Sequence, residues 1–257
     1  MSALKAAVIG LGVVGRAQVR LFGDMVHATY DVLDRERYPF ERVAECDFAV
    51  ICVGTPRGED GRADLSAVRA ALDKIPPEMP VLIRSTIPPG TMAALEKTRE
   101  CVAHLPEFLN ERPDGLWLES GDVPFRILGA SPDARDFFLP ILVEIFGFPV
   151  YCCTGLEAEL IKYTANCYLA AQVTFANEMA RVCAAFGAPW ENVRHGWLFD
   201  PRAGESHTKV EGPGFAGRCL PKDLAALITA STDAGYLPLF LSSVEAANSR
   251  YKAEGTT

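Results

Sequence analysis

Short apolar runs punctuate the first half of the chain. They fall at Ala6–Ile9, His27–Tyr30, Phe48–Val53, Val81–Arg84 and Phe125–Gly129. Each is too short for a buried helix and reads as a strand covered on both faces. Between them lie stretches with apolar residues at helical spacing, such as Arg16–Phe22 and Leu65–Lys74. A further short strand precedes the segment His104-Leu-Pro-Glu-Phe-Leu-Asn-Glu-Arg. Alternating β and α units predict a parallel sheet with helices on both faces. Ligands then bind beyond the carboxyl ends of the strands.

The pattern changes after Thr154. Glu157–Ala185 carries apolar residues at helical spacing with no internal Gly or Pro, which predicts one long helix. Trp190–Trp197, Leu224–Asp233 and Leu239–Tyr251 predict shorter helices. The chain therefore divides into an α/β domain over residues 1–152 and a smaller all-helical domain over residues 153–257, built on the long central helix.

One turn in the first domain has a specific chemistry. The first strand runs straight into Gly10-Leu-Gly12-Val13-Val14-Gly15, and a helix follows. That is the dinucleotide-binding spacing in its required context, strand before and helix after. Gly10 makes the tight turn, Gly12 lets a pyrophosphate approach, and Gly15 lets the helix pack against the strand. The amides at the start of the helix, Val13 and Val14 among them, face the phosphates. Asp31 ends the second strand about twenty residues on, where an acid accepts the ribose hydroxyls of NAD and repels a 2′-phosphate. Asp34 is the competing acid. The fold expected is Rossmann-like and doubly wound, and the cofactor expected is NAD.

Composition narrows the partners. With 257 residues, 49% hydrophobic and 23% charged, the chain has ordinary globular content and enough length for a real core. A formal net charge of −8 argues against nucleic acid or an acidic membrane surface. No apolar run reaches the ~18 residues of a membrane span. The start of the chain lacks the basic region and cleavage site of a signal peptide. Eight cysteines occur without a C-x-x-C pair or zinc-like spacing, so no metal site and no disulfide framework are expected, and the compartment expected is the reducing cytoplasm.

Several polar residues stand where a ligand would meet them. Thr55 in VGTP, and Ser85 and Thr86 in RSTIPPGT, follow predicted strands; the plain alternative is a turn beside proline. Glu107 also follows a strand end, although its i,i+4 spacing to Glu111 equally describes a solvated face. Lys162 and Asn166 share one face of the long helix. Cys219, in Gly214-Phe-Ala-Gly-Arg-Cys-Leu-Pro-Lys-Asp223, lies between a glycine-rich loop and a cation-carboxylate pair. A structural cysteine needs no such neighbours, whereas a reactive thiolate is favoured by nearby positive charge.

Taken in order, GLGVVG, VGTP, STIPPGT, PEFLNE, AELIKYTANCYLA, FANEMA, DPRAG and GPGFAGRCLPKD resemble the UDP-glucose/GDP-mannose dehydrogenase family over about residues 5–250. The resemblance implies oxidation of a primary alcohol of a sugar, nucleotide sugar or nucleotide to a carboxylate, with two NAD consumed per turnover. It makes Cys219 the nucleophile, passing through a thiohemiacetal and a thioester. Lys162 and Asn166 would stabilise the developing oxyanion, Asp223 would manage protons with an ordered water, and Glu107 and Thr86 would activate that water. Thr55, Thr86 and Lys222 would join the glycine loop and Asp31 in holding the cofactor. Phe108, Leu109 and Glu111, with Lys162 and Asn166, would face the substrate, as would Arg202, Gly214 and Phe215. The long helix would pair with its twin in a homodimer.

The chain also departs from the family. Relatives continue for about a hundred residues into a third domain that completes the nucleotide site, so a short form is expected here. Ala216 replaces the usual glycine and would be strained at positive φ. The segment NERPDGLWLESGDVPF differs from the usual continuation. Two other readings stay open: a two-electron NAD-dependent dehydrogenase of a smaller hydroxy substrate, and a homologue that binds NAD without turnover.

Overall fold

A computed structural model describes residues 4–33, 36, 39–109, 125–147 and 149–255. Asp34 and Glu111 lie outside the described residues. Two compact units emerge, residues 1–56 with 64–162, and residues 57–63 with 163–257.

The first unit is built on a seven-stranded sheet. Its strands are β1 (Ala6–Ile9), β2 (Val26–Tyr30), β3 (Phe48–Ile51), β4 (Val81–Ile83), β5 (Val102–His104), β6 (Arg126–Ala130) and β7 (Val150–Cys153), in the spatial order β2-β1-β3-β4-β5-β6-β7. All pairings are parallel except β5 with β6, which is antiparallel. The sheet is thus mixed and mostly parallel. The expected Rossmann-like parallel sheet is present, with one reversal at β6, whose connecting segment from β5 lies largely outside the described residues. The helices are α1 (Val13–Phe22), α2 (Ser66–Leu72), α3 (Thr91–Leu95) and α4 (Pro132–Phe146). The last starts on Ser131, whose hydroxyl accepts from the Ala134 N–H at 3.4 Å, with Pro132 opening the first turn. Neither α4 nor β7 was marked by the hydrophobic pattern.

Why the runs are so uniformly apolar follows from the pleat. Successive side chains point to opposite faces, and both faces are covered. Ala7, Ile9, Ala49, Ile51, Val81 and Ile83 enter one core cluster. Ala6, Val8, Phe48, Val50 and Leu82 enter the other. Phe48 is fully buried and meets Phe22, Phe137 and Phe138 at ring separations of 5.8, 6.2 and 5.9 Å. Truncating it to Ala would cost about 3–5 kcal/mol.

Four helices dominate the second unit. They are most of α5 (Gly155–Ala185), then α6 (Trp190–Trp197), α7 (Leu220–Asp233) and α8 (Leu239–Glu254). Cys167, Ala170, Phe215, Leu224 and Val244 form its main core cluster. The helices at Glu157–Ala185 and Leu224–Asp233 begin earlier than their periodicity suggested, because Gly155 and Pro221 lie within first turns, where both are tolerated. Sequence reasoning placed the division at 152/153, where the sheet ends. The packing division falls within α5 instead, after Lys162. Its first turns belong to the first unit because the Glu159 carboxylate accepts from the Gly90 and Met92 N–H groups at 2.7 and 2.6 Å.

Candidate active site

In the first unit the loop after β1 is shaped by its glycines. Gly10 has φ +89°. A side chain on Gly15 would put its Cβ 1.7 Å from the Gly10 carbonyl oxygen, so nothing larger fits. Around Gly12 there is open space where a Cβ would meet nothing. Gly12 is also the N-cap of α1, which has no side-chain cap and no acid in its first turn. The amides of Val13 and Val14 therefore sit at the positive end of a helix with room before it, which fits a pyrophosphate. Asp31 holds this loop in place. Its carboxylate accepts from the Leu11 N–H at 2.7 Å and from the Leu33 N–H at 2.9 Å. A carboxylate has about four lone-pair sites, so these two bonds leave capacity for a ribose hydroxyl.

Beyond β3 and β4 two loops are tied together. The Thr55 hydroxyl donates to the Thr86 carbonyl at 2.8 Å, and the Ser85 hydroxyl donates to the Val53 carbonyl at 2.7 Å. Thr55 and Ser85 are buried, and Thr86 is half-buried.

Glu107 is not on a solvated face. It is buried, and its carboxylate is ion-paired with the guanidinium of Arg84, which is 1% exposed. Gln18 of α1 donates to the same oxygen at 3.0 Å, and the Phe108 N–H donates to the other at 2.9 Å. Arg84 also donates to the Leu105 carbonyl at 2.6 Å. Sequence reasoning missed Arg84 and Gln18. The one signal was a cation closing a buried apolar strand run, Val81-Leu-Ile-Arg84, since a charge there needs a counter-ion. The Lys162 ammonium lies over the Phe108 ring, 4.7 Å from its centroid, a cation–π placement that brings the lysine beside Glu107's neighbour. Leu109 is half-buried next to Phe108. On the end of β5, His104 is fully buried and neutral, pushed down to about 3 by burial and then by the charge of Arg84.

Cys219 belongs to the second unit, where it is the N-cap of α7 at the positive end of that helix. Of the eight cysteines it alone is exposed. Cys167, by contrast, is buried in the core, and burial pushes its thiol up to about 12. One turn into α7, Asp223 is 1% exposed and accepts from the Asn166 amide at 2.5 Å, with the Lys222 ammonium paired to its other oxygen. A buried carboxylate with a fixed amide and a cation is held in one geometry, unlike a surface acid. Lys222 thus pairs with a neighbouring side chain, an arrangement its assignment to cofactor phosphates did not include.

The residues of this unit expected to face a substrate are arranged unequally. Gly214 has φ +83°, and its N–H reaches the Asn177 side-chain oxygen at 3.1 Å. Phe215 points its ring into the core, and Asn248 takes both its N–H, at 2.7 Å, and its carbonyl, at 3.1 Å. Ala216 has no positive φ; the left-handed positions are Gly214 and Gly217 on either side of it, so the replacement of glycine introduces no backbone strain there. Arg202 is 88% exposed and folds back on Asp200 at 2.6 Å.

Two models of one family match the chain. The "UDP-glucose/GDP-mannose dehydrogenase family, NAD binding domain" matches residues 31–115, and the "central domain" of the same family matches residues 156–250. The chain is 36% identical over 251 residues to UDP-glucose 6-dehydrogenase of Pseudomonas aeruginosa, covering 86% of this chain and 54% of that protein. It is 36% identical over 210 residues to UDP-glucose 6-dehydrogenase of Rhizobium meliloti, covering 74% and 47%. A solved UDP-glucose dehydrogenase from the hyperthermophilic archaeon Pyrobaculum islandicum superposes with a TM-score of 0.84 at 29% identity, covering 96% of this chain and 68% of that one. The chain spans about half the length of the curated relatives it matches. Among the described residues no helix is long and apolar enough to cross a membrane.

Proposed function

Because the chain belongs to the UDP-glucose/GDP-mannose dehydrogenase family, we propose that it oxidises a primary alcohol of a sugar, nucleotide sugar or nucleotide to a carboxylate in two hydride transfers, with Cys219 as nucleophile. The observation that carries this reading is Cys219 itself: the one exposed thiol of eight, capping a helix whose first turn holds Asp223 against Asn166. A protein that only bound NAD would need none of that arrangement.

NAD, when bound, supplies the hydride acceptor, and two are consumed for each acid formed. The family's NAD-binding domain supports that cofactor, and so does a glycine loop with open space before α1. Asp31 favours NAD over its 2′-phosphate by charge. As the alcohol loses its hydroxyl proton and a hydride, the product is an aldehyde. The Cys219 thiolate adds to the aldehyde carbon and makes it tetrahedral, which lets a second hydride leave. Lys162 and Asn166 balance the negative charge on the oxygen in both tetrahedral states. Loss of that hydride leaves a thioester on Cys219. Water, deprotonated by Glu107 or Asp223, cleaves it to the acid and returns the thiolate. Thr86 would help to hold that water. The substrate-side assignments to Phe108, Leu109, Arg202, Gly214 and Phe215 remain part of this proposal, with Phe215 acting through its backbone rather than its ring.

A homodimer through α5 is part of the same reading. Tyr168, Phe175 and Val182 recur every seven residues along α5 and are 63%, 50% and 38% exposed. A seven-residue apolar repeat keeps one stripe facing a partner helix.

The test is NADH production by the purified protein with NAD and UDP-glucose, then GDP-mannose and simple hexose phosphates. Two NADH per acid formed, lost in Cys219→Ala, is the expected result. One NADH with aldehyde as final product, unchanged in Cys219→Ala, would make this a two-electron dehydrogenase. NAD binding without turnover on any of them would oppose catalysis by this chain alone.

A further inference from the structure

The Arg84–Glu107 pair is costly to build. A guanidinium and a carboxylate lose their water together, and that loss is offset only by good mutual geometry and further hydrogen bonds. Here both members of the pair have further hydrogen bonds. Arg84 follows β4 with its N–H on the Ile51 carbonyl at 2.8 Å, so its side chain is launched from a fixed strand end. Its two terminal nitrogens take the Leu105 carbonyl and Glu107. Gln18 adds a neutral donor from α1, the helix that opens on the glycine loop.

We infer that Arg84 is a positioning residue that holds Glu107 as a carboxylate in the resting protein, so that Glu107 enters each cycle as a base and hydrogen-bond acceptor and releases the proton it takes up before the next. This rests on the proposed role of Glu107 in water activation and makes that role more specific. The groups around the pair agree with it. His104 on β5 is neutral, Cys52 after β3 is a thiol pushed up to about 12 by burial, and Arg126 on β6 and Lys162 on α5 lie close enough to act on Arg84 and on His104 respectively. Burial pulls Arg84 down to about 9, which still leaves it charged at neutral pH. Burial of Glu107 by itself favours a proton, and the ion pair with Arg84 is what opposes it. An adjacent cation lowers a carboxyl by about 1–3 pH units. Gln18 also ties Glu107 to α1, the helix that opens on the glycine loop.

The experiment is a pH titration of the Glu107 side-chain carboxyl by carbon NMR, on the full chain with NAD, for wild type, Arg84→Lys and Arg84→Met. The wild-type carboxyl is expected to stay ionised below the ordinary glutamate value of about 4.3. Arg84→Met should raise its midpoint by about two pH units, and Arg84→Lys should restore most of the difference. A wild-type midpoint at or above the ordinary value overturns the inference, and that outcome needs no variant to fold. So does an Arg84→Met midpoint equal to wild type. The titration requires no turnover. A protein that titrates as expected but makes no NADH from any substrate tried sinks the functional reading and leaves the state of Glu107 established. An active enzyme with an ordinary Glu107 midpoint sinks only the role given to Arg84.

Discussion

The two compact units bury their charged groups alike but expose different kinds of group. The first offers glycines, helix-start amides and one acid at the loop after β1, and buries several of its titratable side chains. Arg84, Glu107 and Glu159 are all buried and bonded. The second exposes a thiol instead. Cys219 is exposed while Asn166 and Asp223 are buried and bonded to each other. Binding a dinucleotide needs amides and space, which a short local pattern encodes. A nucleophile needs access, together with partners whose geometry does not drift, and those come from distant parts of the chain.

The largest effects are expected at Cys219. Cys219→Ala should lower acid formation by at least about 10³-fold, as loss of a nucleophile does elsewhere. Cys167→Ala should leave it within a few-fold, since that thiol is buried and inert. Equal losses would erase the distinction between the two thiols. Next comes Gly15→Val, whose side chain collides with the Gly10 carbonyl. It should abolish measurable NAD binding in a calorimetric titration and cost about 1–3 kcal/mol of stability from overpacking. Retained binding would mean that the helix need not lie so close to the loop. Asp31→Asn keeps an oxygen for the Leu11 N–H but loses the charge facing the ribose. A loss of NAD affinity of about tenfold is expected, that of one charged hydrogen bond, with discrimination against NADP weakened.

The smallest effect is a pH dependence within the first unit. Burial raises Glu159 to about 7, against the bonds from Gly90 and Met92 that lower it. An acid raised on folding favours the protonated folded state, so its contribution to stability is complete below the unfolded value of 4.5 and is lost as pH rises through about 7. Thermal midpoints of wild type should therefore rise relative to Glu159→Gln as pH falls from 8 towards 5. A difference that stays flat over that window would remove Glu159 as a titrating group.

How far the sequence reads follows the same division. Ala6–Ile9, the glycine loop and Asp31 are legible together because one strand-turn-helix unit contains them all. The pairing of Asn166 with Asp223 is not, since 57 residues separate them and only the fold brings them together. Their roles came from resemblance, not spacing. Arg84 was hidden differently: at the end of a strand it reads as an ordinary boundary, and its partner Glu107, 23 residues on, reads as surface. The reversal at β6 has no local signature, because an apolar run does not record the direction in which its strand pairs.

The most direct measurement is the intact mass of the protein quenched during turnover with NAD and UDP-glucose, followed by peptide mapping. An acyl adduct on the peptide carrying Cys219, absent in Cys219→Ala, is the expected result. Two NADH per acid with no adduct on Cys219, or the same adduct mass in Cys219→Ala, would contradict a thioester on this cysteine.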